Sequence, residues 1–476
     1  MRRTKIVATV GPASDSAEVL LAMVRAGVDM FRLNLSHGTM DEHLVRLASV
    51  RSAAQVAGKV VAVLADLPGP KIRAGRFEGD GVQVTVGLRV KLVPGDEPST
   101  AEVIQVDYPT LLHDLAVGDR VVLGDGDISM RVRSVDGYGA VAEMLTAGRL
   151  RGRPGVHVPS ERSRLRAPTD EDLVLLAAMA AAGVDYAAVS FVRSAADITM
   201  ARDAIGTKGP ALIAKIETRA AMDDLAAIIE VADAVMVARG DLGIECALEE
   251  VPHMQKQIIR SCVDAGVPVI TATQMLESMI TAAQPTRAEV SDVANAVFDG
   301  TDAVMLSGET AIGVDPVEVI RTMARIVERA EAEAQYKGWA QRLGRAQRKR
   351  DSAGELRVTQ AVTHAGWAAA EEIGVSAIVC CTRSGLTARA MARYRPLARL
   401  VGASPDAGVM RRLALSWGVE PLHVAEYTST DELVWHAVEE VVRAKMAAVG
   451  DHILVLAGDP KSTGGATDVM RVIRVS

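Results

Sequence analysis

The sequence predicts a (β/α)8 barrel interrupted by a small inserted all-β domain and followed by a doubly wound α/β domain. Three observations lead there. Short β-rich runs alternate with amphipathic stretches eight times. One long gap between the third and fourth runs has a different texture, and a second β/α alternation closes the chain.

The eight runs are "KIVATVG" (5–11), "MFRLN" (30–34), "VAVLADL" (61–67), "YAAVSFV" (186–192), "ALIAKIE" (211–217), "AVMVARG" (234–240), "PVITATQ" (268–274) and "AVMLSG" (303–308). They lack clean polar alternation, as parallel strands covered on both faces should. Helical patterns such as "SAEVLLAMVRAG" and "EEVPHMQKQIIRSCVDAG" lie between them, several ending in Ala-Gly, a glycine stop. The barrel is assigned to 1–67 and 164–345. In the gap, "GVQVTVGLRVKLV", "DRVVLGDGDISMRVRSV" and "GAVAEML" alternate with Gly and Asp turns, which reads as a β lid over 68–163. The polar, basic "QRLGRAQRKRDSAGELR" reads as a solvated linker. Beyond it, "VSAIVCCTRSG", "RLVGAS", "PLHVA" and "GDHILVLAG" alternate with helices, giving the α/β domain from 346 to 476.

Composition narrows the function class. With 49% hydrophobic and 24% charged residues, the chain is a soluble globular type. Acidic residues outnumber basic ones 60 to 53, and no basic tract offers a nucleic-acid surface. Cys246, Cys262, Cys380 and Cys381 show no CxxC spacing, which suits reduced thiols in the cytoplasm. The apolar start is cut by Gly11-Pro12 before it reaches a signal core, and no stretch approaches the ~18 apolar residues of a membrane span.

In such barrels the active site lies at the C-terminal ends of the strands, where the unusual polar residues collect. Lys215 and Glu217 close the fifth run and share one face, because strand side chains alternate with period two. An ordinary core has no use for that pair. Arg32, Asn34 and Ser36 close the second run and Asp66 the third. Arg239 with Asp241, Thr273 with Gln274, and Ser307 with Glu309 close the last three. Any one of these alone reads as a cap or turn, as Ser307 does in "SGET". Their agreement across strands argues for a shared cleft. Two carboxylates beside a lysine suit a hard divalent cation that keeps positions for substrate oxygens, with Lys215 neutralising a transferring phosphoryl group or a developing enolate. No P-loop or protein-kinase motif set is present; "GDPKSTGG" lacks the required spacing. "CTRSGLTAR" (381–389) offers hydroxyls and amides to an anion, and equally reads as a capped turn.

Taken together, "TKIVATVGPAS", "FRLNLSHG", "LADLPGPKIRAG", "IAKIET", "DAVMVARGDLGIE", "VITATQMLESMI", "PTRAEVSDVANAVFDGTDAVMLSGETAIG" and "TDVMRVIRV" resemble the pyruvate kinase family over nearly the whole chain. The resemblance implies phosphoryl transfer from phosphoenolpyruvate to ADP, giving pyruvate and ATP. It implies that Glu217 and Asp241 hold Mg2+ or Mn2+, that Lys215 and Arg32 face the phosphoryl group, and that Arg239, Gly240 and Thr273 hold the substrate carboxylate. Asp241 thereby also touches substrate through the metal. Protonation of the enolate is assigned near Thr273 and Ser307, and the nucleotide side to Asn34, His37 and Arg73. The family's monovalent-cation ligands correspond to Asn34, Ser36, Asp66 and the Leu67 carbonyl. This chain departs by placing Lys71 where potassium-requiring members carry a glutamate, so K+-independent activity is expected. Arg153 and Pro154 replace a lysine pair on the lid return. Thr382, Ser384, Gly385 and Thr387 match the family's effector phosphate site, and a homotetramer is the family expectation. Two competing readings stay open: a lyase or mutase sharing the Mg2+-enolate barrel, and a metabolite sensor that has lost turnover.

Overall fold

A computed structural model of the chain describes residues 2–334, 343, 354–458 and 466–476, apart from 125, 127, 161, 163, 427 and 428. The expected junctions at 163/164 and 345/346, most of the basic linker and nearly all of "GDPKSTGG" lie outside the described residues.

Strands β1 (Lys5–Thr9), β2 (Met30–Asn34) and β3 (Ala62–Asp66) open the chain. An insertion follows with β4 (Phe77–Val84), β5 (Arg89–Pro94), β6 (Val103–Val106), β7 (Arg120–Leu123), β8 (Ile128–Asp136), β9 (Gly139–Met144), β10 (Gly148–Gly152) and β11 (Val156–His157). Then come β12 (Tyr186–Val189), β13 (Ala211–Ile216), β14 (Ala234–Ala238), β15 (Val269–Ala272) and β16 (Ala303–Leu306). The first three and last five of these form one closed parallel barrel in the order β1-β16-β15-β14-β13-β12-β3-β2. The insertion makes a two-stranded sheet, β10-β4, and a six-stranded sheet, β11-β7-β8-β9-β5-β6, around a core including Phe77, Leu92, Val121 and Met130.

After the barrel, β17 (Ala377–Cys381), β18 (Arg399–Ser404), β19 (Val419–His423), β20 (His452–Ala457) and β21 (Val469–Arg474) form a sheet ordered β19-β18-β17-β20-β21. Its neighbours are parallel except for the antiparallel β20–β21 edge pair. No helix among the described residues is long and apolar enough to cross a membrane.

Local chemistry sets the punctuation. The helix Arg287–Asp299 starts in a capping box, with Thr286 accepting from the Glu289 amide and Glu289 from the Thr286 amide. The Ala-Gly signal works as read at Gly266, whose φ of +76° closes the helix Val251–Ala265. Several strands end earlier than the apolar runs suggest. Past Val189 the chain turns through Phe191 at φ +54°, past Ala272 it turns through Thr273 and Gln274 at φ +68° and +53°, and Arg239 already begins a helix. Polar residues that follow the last ladder pairs are thereby aimed across the barrel mouth.

Alternation divides the barrel residues. Val7, Met30, Leu64, Ile213, Met236, Ile270 and Met305 fill the interior, while their neighbours pack outward against the helices. The interior layer also includes Ala414 and Leu415 from the C-terminal domain, so that domain stoppers the lower mouth. Around the plug, Asp302 accepts from Arg395 Nη1 at 3.0 Å and from the Trp417 amide at 3.2 Å. Asp185 accepts from Arg411 Nε at 2.6 Å, and Lys5 Nζ donates to the Val419 carbonyl at 2.8 Å.

Candidate active site

Following the inward-facing positions toward the upper mouth derives the site. On β13, Ala211 and Ile213 point inward, so Lys215 and Glu217 continue that row. The same parity sends Thr9, Arg32, Asn34, Asp66 and Ser190 inward from β1, β2, β3 and the end of β12. These side chains meet under the inserted domain. The cavity between them is about 460 Å3 and is lined by Arg32, Asp66, Lys71, Arg73, Lys215, Glu217 and Asp241 among others.

Lys215 is the hub. Its ammonium donates to Ser190 Oγ at 2.7 Å and lies 2.8 Å from Glu217 Oε1 and 3.3 Å from Asp66 Oδ1. Ser190 Oγ donates onward to the Leu67 carbonyl at 2.7 Å. Asp66 also accepts from Arg32 Nε at 2.6 Å, and Arg32 Nη1 reaches Thr9 Oγ1 at 3.2 Å. Burial opposes the Lys215 charge, but Asp66, Glu217 and Asp241 outweigh it and hold its pKa above the ordinary lysine value. Burial also opposes the Asp66 carboxylate, yet Lys215 and Arg32 bring its pKa below the usual range.

Glu217 is different. Asp66 has two cations, whereas Glu217 has only a share of Lys215. Burial raises the Glu217 pKa, Lys215 pulls it down, and the nearby Asp241 charge pushes it up again, for a net rise. Glu217 Oε2 accepts from the Phe191 amide at 2.7 Å. Glu217 Oε1 and Asp66 Oδ1 are buried and have no partner besides the Lys215 ammonium they share, at 2.8 and 3.3 Å. Buried carboxylate oxygens that share a single cation in this way fit a second, hard one. Asp241 lines the cavity from the first turn of the helix Arg239–Glu245. Among the described residues no three acidic, His or Cys side chains form a metal cage. Glu217 and Asp241 both line the cavity, and two carboxylates suit a hard cation that keeps positions for substrate oxygens.

On the opposite wall, Lys71, Arg73 and His37 line the same cavity with Asn34, Ser36 and the Leu67 segment. Burial and the charges of Lys71, Arg73 and Arg32 lower the His37 pKa and favour the neutral ring. Burial, Arg73 and Lys215 lower that of Lys71, while Asp66 works the other way. Asn34 Oδ1 accepts from the Ser36 amide at 3.2 Å. Arg73 Nη1 donates to the Arg153 carbonyl at 3.3 Å, and the Arg153 side chain faces Asp107, 3.4 Å away.

Arg239, Gly240, Thr273 and Ser307 do not line the enclosed part of the cavity. The Arg239 guanidinium points at the next strand's exit, donating to the Thr273 carbonyl at 2.6 Å and to Asp292 Oδ1 at 2.8 Å. Thr273 Oγ1 accepts from the Gly240 amide at 2.9 Å and donates to the Ala272 carbonyl at 2.7 Å. Arg239 thus braces two consecutive left-handed residues. The sequence places Glu309 at the cleft. Instead it is fully buried and accepts from the amides of Ser307 at 2.6 Å and Leu276 at 3.1 Å.

In the C-terminal domain, Thr382 Oγ1 accepts from the Gly385 amide at 2.9 Å and Ser384 Oγ from the Leu386 amide at 3.4 Å. Thr387 Oγ1 is paired with Thr467 Oγ1 at 2.7 Å.

Sequence reading missed Ser190, Phe191, Asp292 and Glu245. Ser190 had a signal, a lone hydroxyl at the inward parity of "YAAVSFV". Phe191 acts through its backbone amide, and Asp292 and Glu245 sit on helices and answer groups that only the fold brings near, so these had none.

A closed parallel barrel with a lysine, an arginine and open carboxylates at its upper rim, under an inserted β domain, defines the class: a barrel enzyme built for an anionic, cation-bridged substrate. The family model described as "Pyruvate kinase, barrel domain" matches residues 1–320, and "Pyruvate kinase, alpha/beta domain" matches 360–473. A pyruvate kinase of Geobacillus stearothermophilus is 40% identical over 100% of this chain and 81% of its own length. One from Clostridium acetobutylicum is 38% identical over 99% of both. The crystal structure of a pyruvate kinase from Cryptosporidium parvum superposes with a TM-score of 0.92 at 29% identity, covering 100% of this chain and 96% of that one. The chain belongs to the pyruvate kinase family, a family of transferases.

Proposed function

We propose that this chain transfers the phosphoryl group of phosphoenolpyruvate to ADP, giving pyruvate and ATP. The observation that carries the reading is Lys215, whose ammonium stands between two buried carboxylates beside Arg32. Such transfer needs alignment and charge neutralisation more than covalent help. Glu217 and Asp241 would hold Mg2+ or Mn2+, which when bound supplies Lewis-acid neutralisation of substrate oxygens. Lys215 and Arg32 bind the phosphoryl oxygens and follow their charge as the bond to the enol oxygen breaks. Arg73 and His37 receive the nucleotide phosphates, with Asn34 at that end. The backbone at Arg239 and Gly240 orients the substrate carboxylate with Thr273. Thr273 and Ser307 hold the water that delivers a proton to the enolate carbon. A coupled assay for ATP formation from phosphoenolpyruvate and ADP tests the reading, and absence of Mg2+-dependent turnover refutes it. That assay also separates the lyase, mutase and sensor readings.

Three finer readings follow from the same architecture. Activity is K+-independent, supported by the Lys71 ammonium lining the same cavity as Asn34, Ser36 and Asp66; strong stimulation by K+ but not Na+ or tetramethylammonium would reject it. A phosphorylated effector binds at Thr382, Ser384, Gly385 and Thr387, and a flat titration with sugar phosphates and AMP would reject it. The chain assembles as a cytoplasmic homotetramer in which β21, with Met470 and Val472 exposed, supplies a contact between copies. Sedimentation at the monomer mass would reject the assembly.

A further inference from the structure

One part-buried carboxylate of the cavity has no part in the reaction proposed above. Glu245 closes the helix Arg239–Glu245, four positions after Asp241. Its Oε1 accepts from the Ser160 amide at 3.1 Å and its Oε2 from Ser160 Oγ at 2.6 Å. Oε2 also lies 3.4 Å from the Arg219 amide, two residues beyond Glu217. Three chain segments therefore meet on one side chain: the return from the inserted domain, the exit of β13, and the helix bearing Asp241. The inserted domain also passes near this helix at Gly126, where an added Cβ would lie 3.7 Å from Ile244 Cγ1. Short hydroxyl-to-carboxylate bonds of this kind are strong and directional.

We propose that Glu245 is a positioning residue that latches the inserted domain to both metal carboxylates, so that docking of that domain and ordering of the divalent-cation site are one event. The inference rests on the assignment of Glu217 and Asp241 to the metal. Its logic is geometric. When the inserted domain swings away, Ser160 leaves Glu245, and the carboxylate is free to pull from the Arg219 amide. The spacing of the two metal carboxylates then loosens. Burial raises the Glu245 pKa, and the hydrogen bonds from Ser160 and the Arg219 amide work against that rise.

The test uses Glu245→Gln, Ser160→Ala and Ser160→Thr in the full chain. Hydrogen exchange is followed in 156–162 and 239–246, and Mn2+ binding is followed without substrate. With the latch in place, Glu245→Gln and Ser160→Ala speed exchange in both segments together and weaken Mn2+ binding about tenfold, the scale of one charge-assisted hydrogen bond. Ser160→Thr, which keeps the hydroxyl, restores both. In turnover, the activation constant for Mg2+ rises more than kcat falls. Exchange and Mn2+ affinity unchanged in Glu245→Gln, with wild-type turnover intact, overturns the latch and leaves the proposed reaction standing. Coupled exchange in a wild type without turnover does the reverse.

Discussion

Replacing Lys215 by methionine removes the one cation among the described residues that touches both Glu217 and Asp66. At 2.8 and 3.3 Å, and with an effective dielectric of about 20, each contact has a gross attraction of roughly 5–6 kcal/mol. The cost of burying the ammonium offsets much of this. What decides the net effect is what remains behind. Asp66 keeps Arg32 at 2.6 Å, whereas Glu217 keeps only the Phe191 amide in a fully buried position. Breaking a buried pair from one side costs about 3–5 kcal/mol. The Lys215→Met chain should therefore lose about that much stability in chemical denaturation with chelator present. Mg2+ should recover more of that loss than it adds to the wild type, because the dication reaches the carboxylate the lysine abandoned. Turnover should fall by at least about a hundred- to a thousand-fold, the scale of one preorganised charge in a transition state. Denaturation within about 1 kcal/mol of wild type in chelator, or unchanged turnover in a folded variant, would refute the hub assignment.

Other substitutions probe the parts separately. Ser190→Ala breaks the relay from Lys215 to the Leu67 carbonyl, and kcat should fall about tenfold with little change in thermal stability, as one hydrogen bond predicts. Arg239→Ala frees the left-handed turn at Thr273 and Gln274, so kcat/KM for phosphoenolpyruvate should fall about ten- to a hundred-fold in steady-state assays. Because the Glu217 pKa is raised, a proton competes with the dication there. Mn2+ affinity measured by titration should rise with pH above the ordinary carboxylate value of 4.5 and level off once the group is ionised. Affinity that is flat over that range would contradict the assignment.

Much of this was readable in the chain because barrel strands have a strict inward and outward parity. Lys215, Arg32 and Asp66 sit two residues beyond interior apolar positions and Glu217 two beyond Lys215, so period two alone aimed them at one mouth. Strand ends were harder. Phe191, Thr273 and Gln274 adopt left-handed backbone without being glycine, and no propensity announces that. The functions of Glu309 and Glu245 were also hidden, because each carboxylate answers amides that only the closed barrel brings near. In the insertion, β6, β10 and β11 are short and pair at edges, leaving too little alternation to register.

Leu415 in the barrel's lower opening bears on how freely such a protein can be rearranged. Genes that exchange whole modules need seams that heal when cut. Here the catalytic half borrows its floor from a segment far downstream; if that floor is withdrawn, Asp302 loses Arg395 and the Trp417 amide, and Asp185 loses Arg411. A recombined barrel would have to bring its own stopper, which ties the inheritance of the third domain to the first.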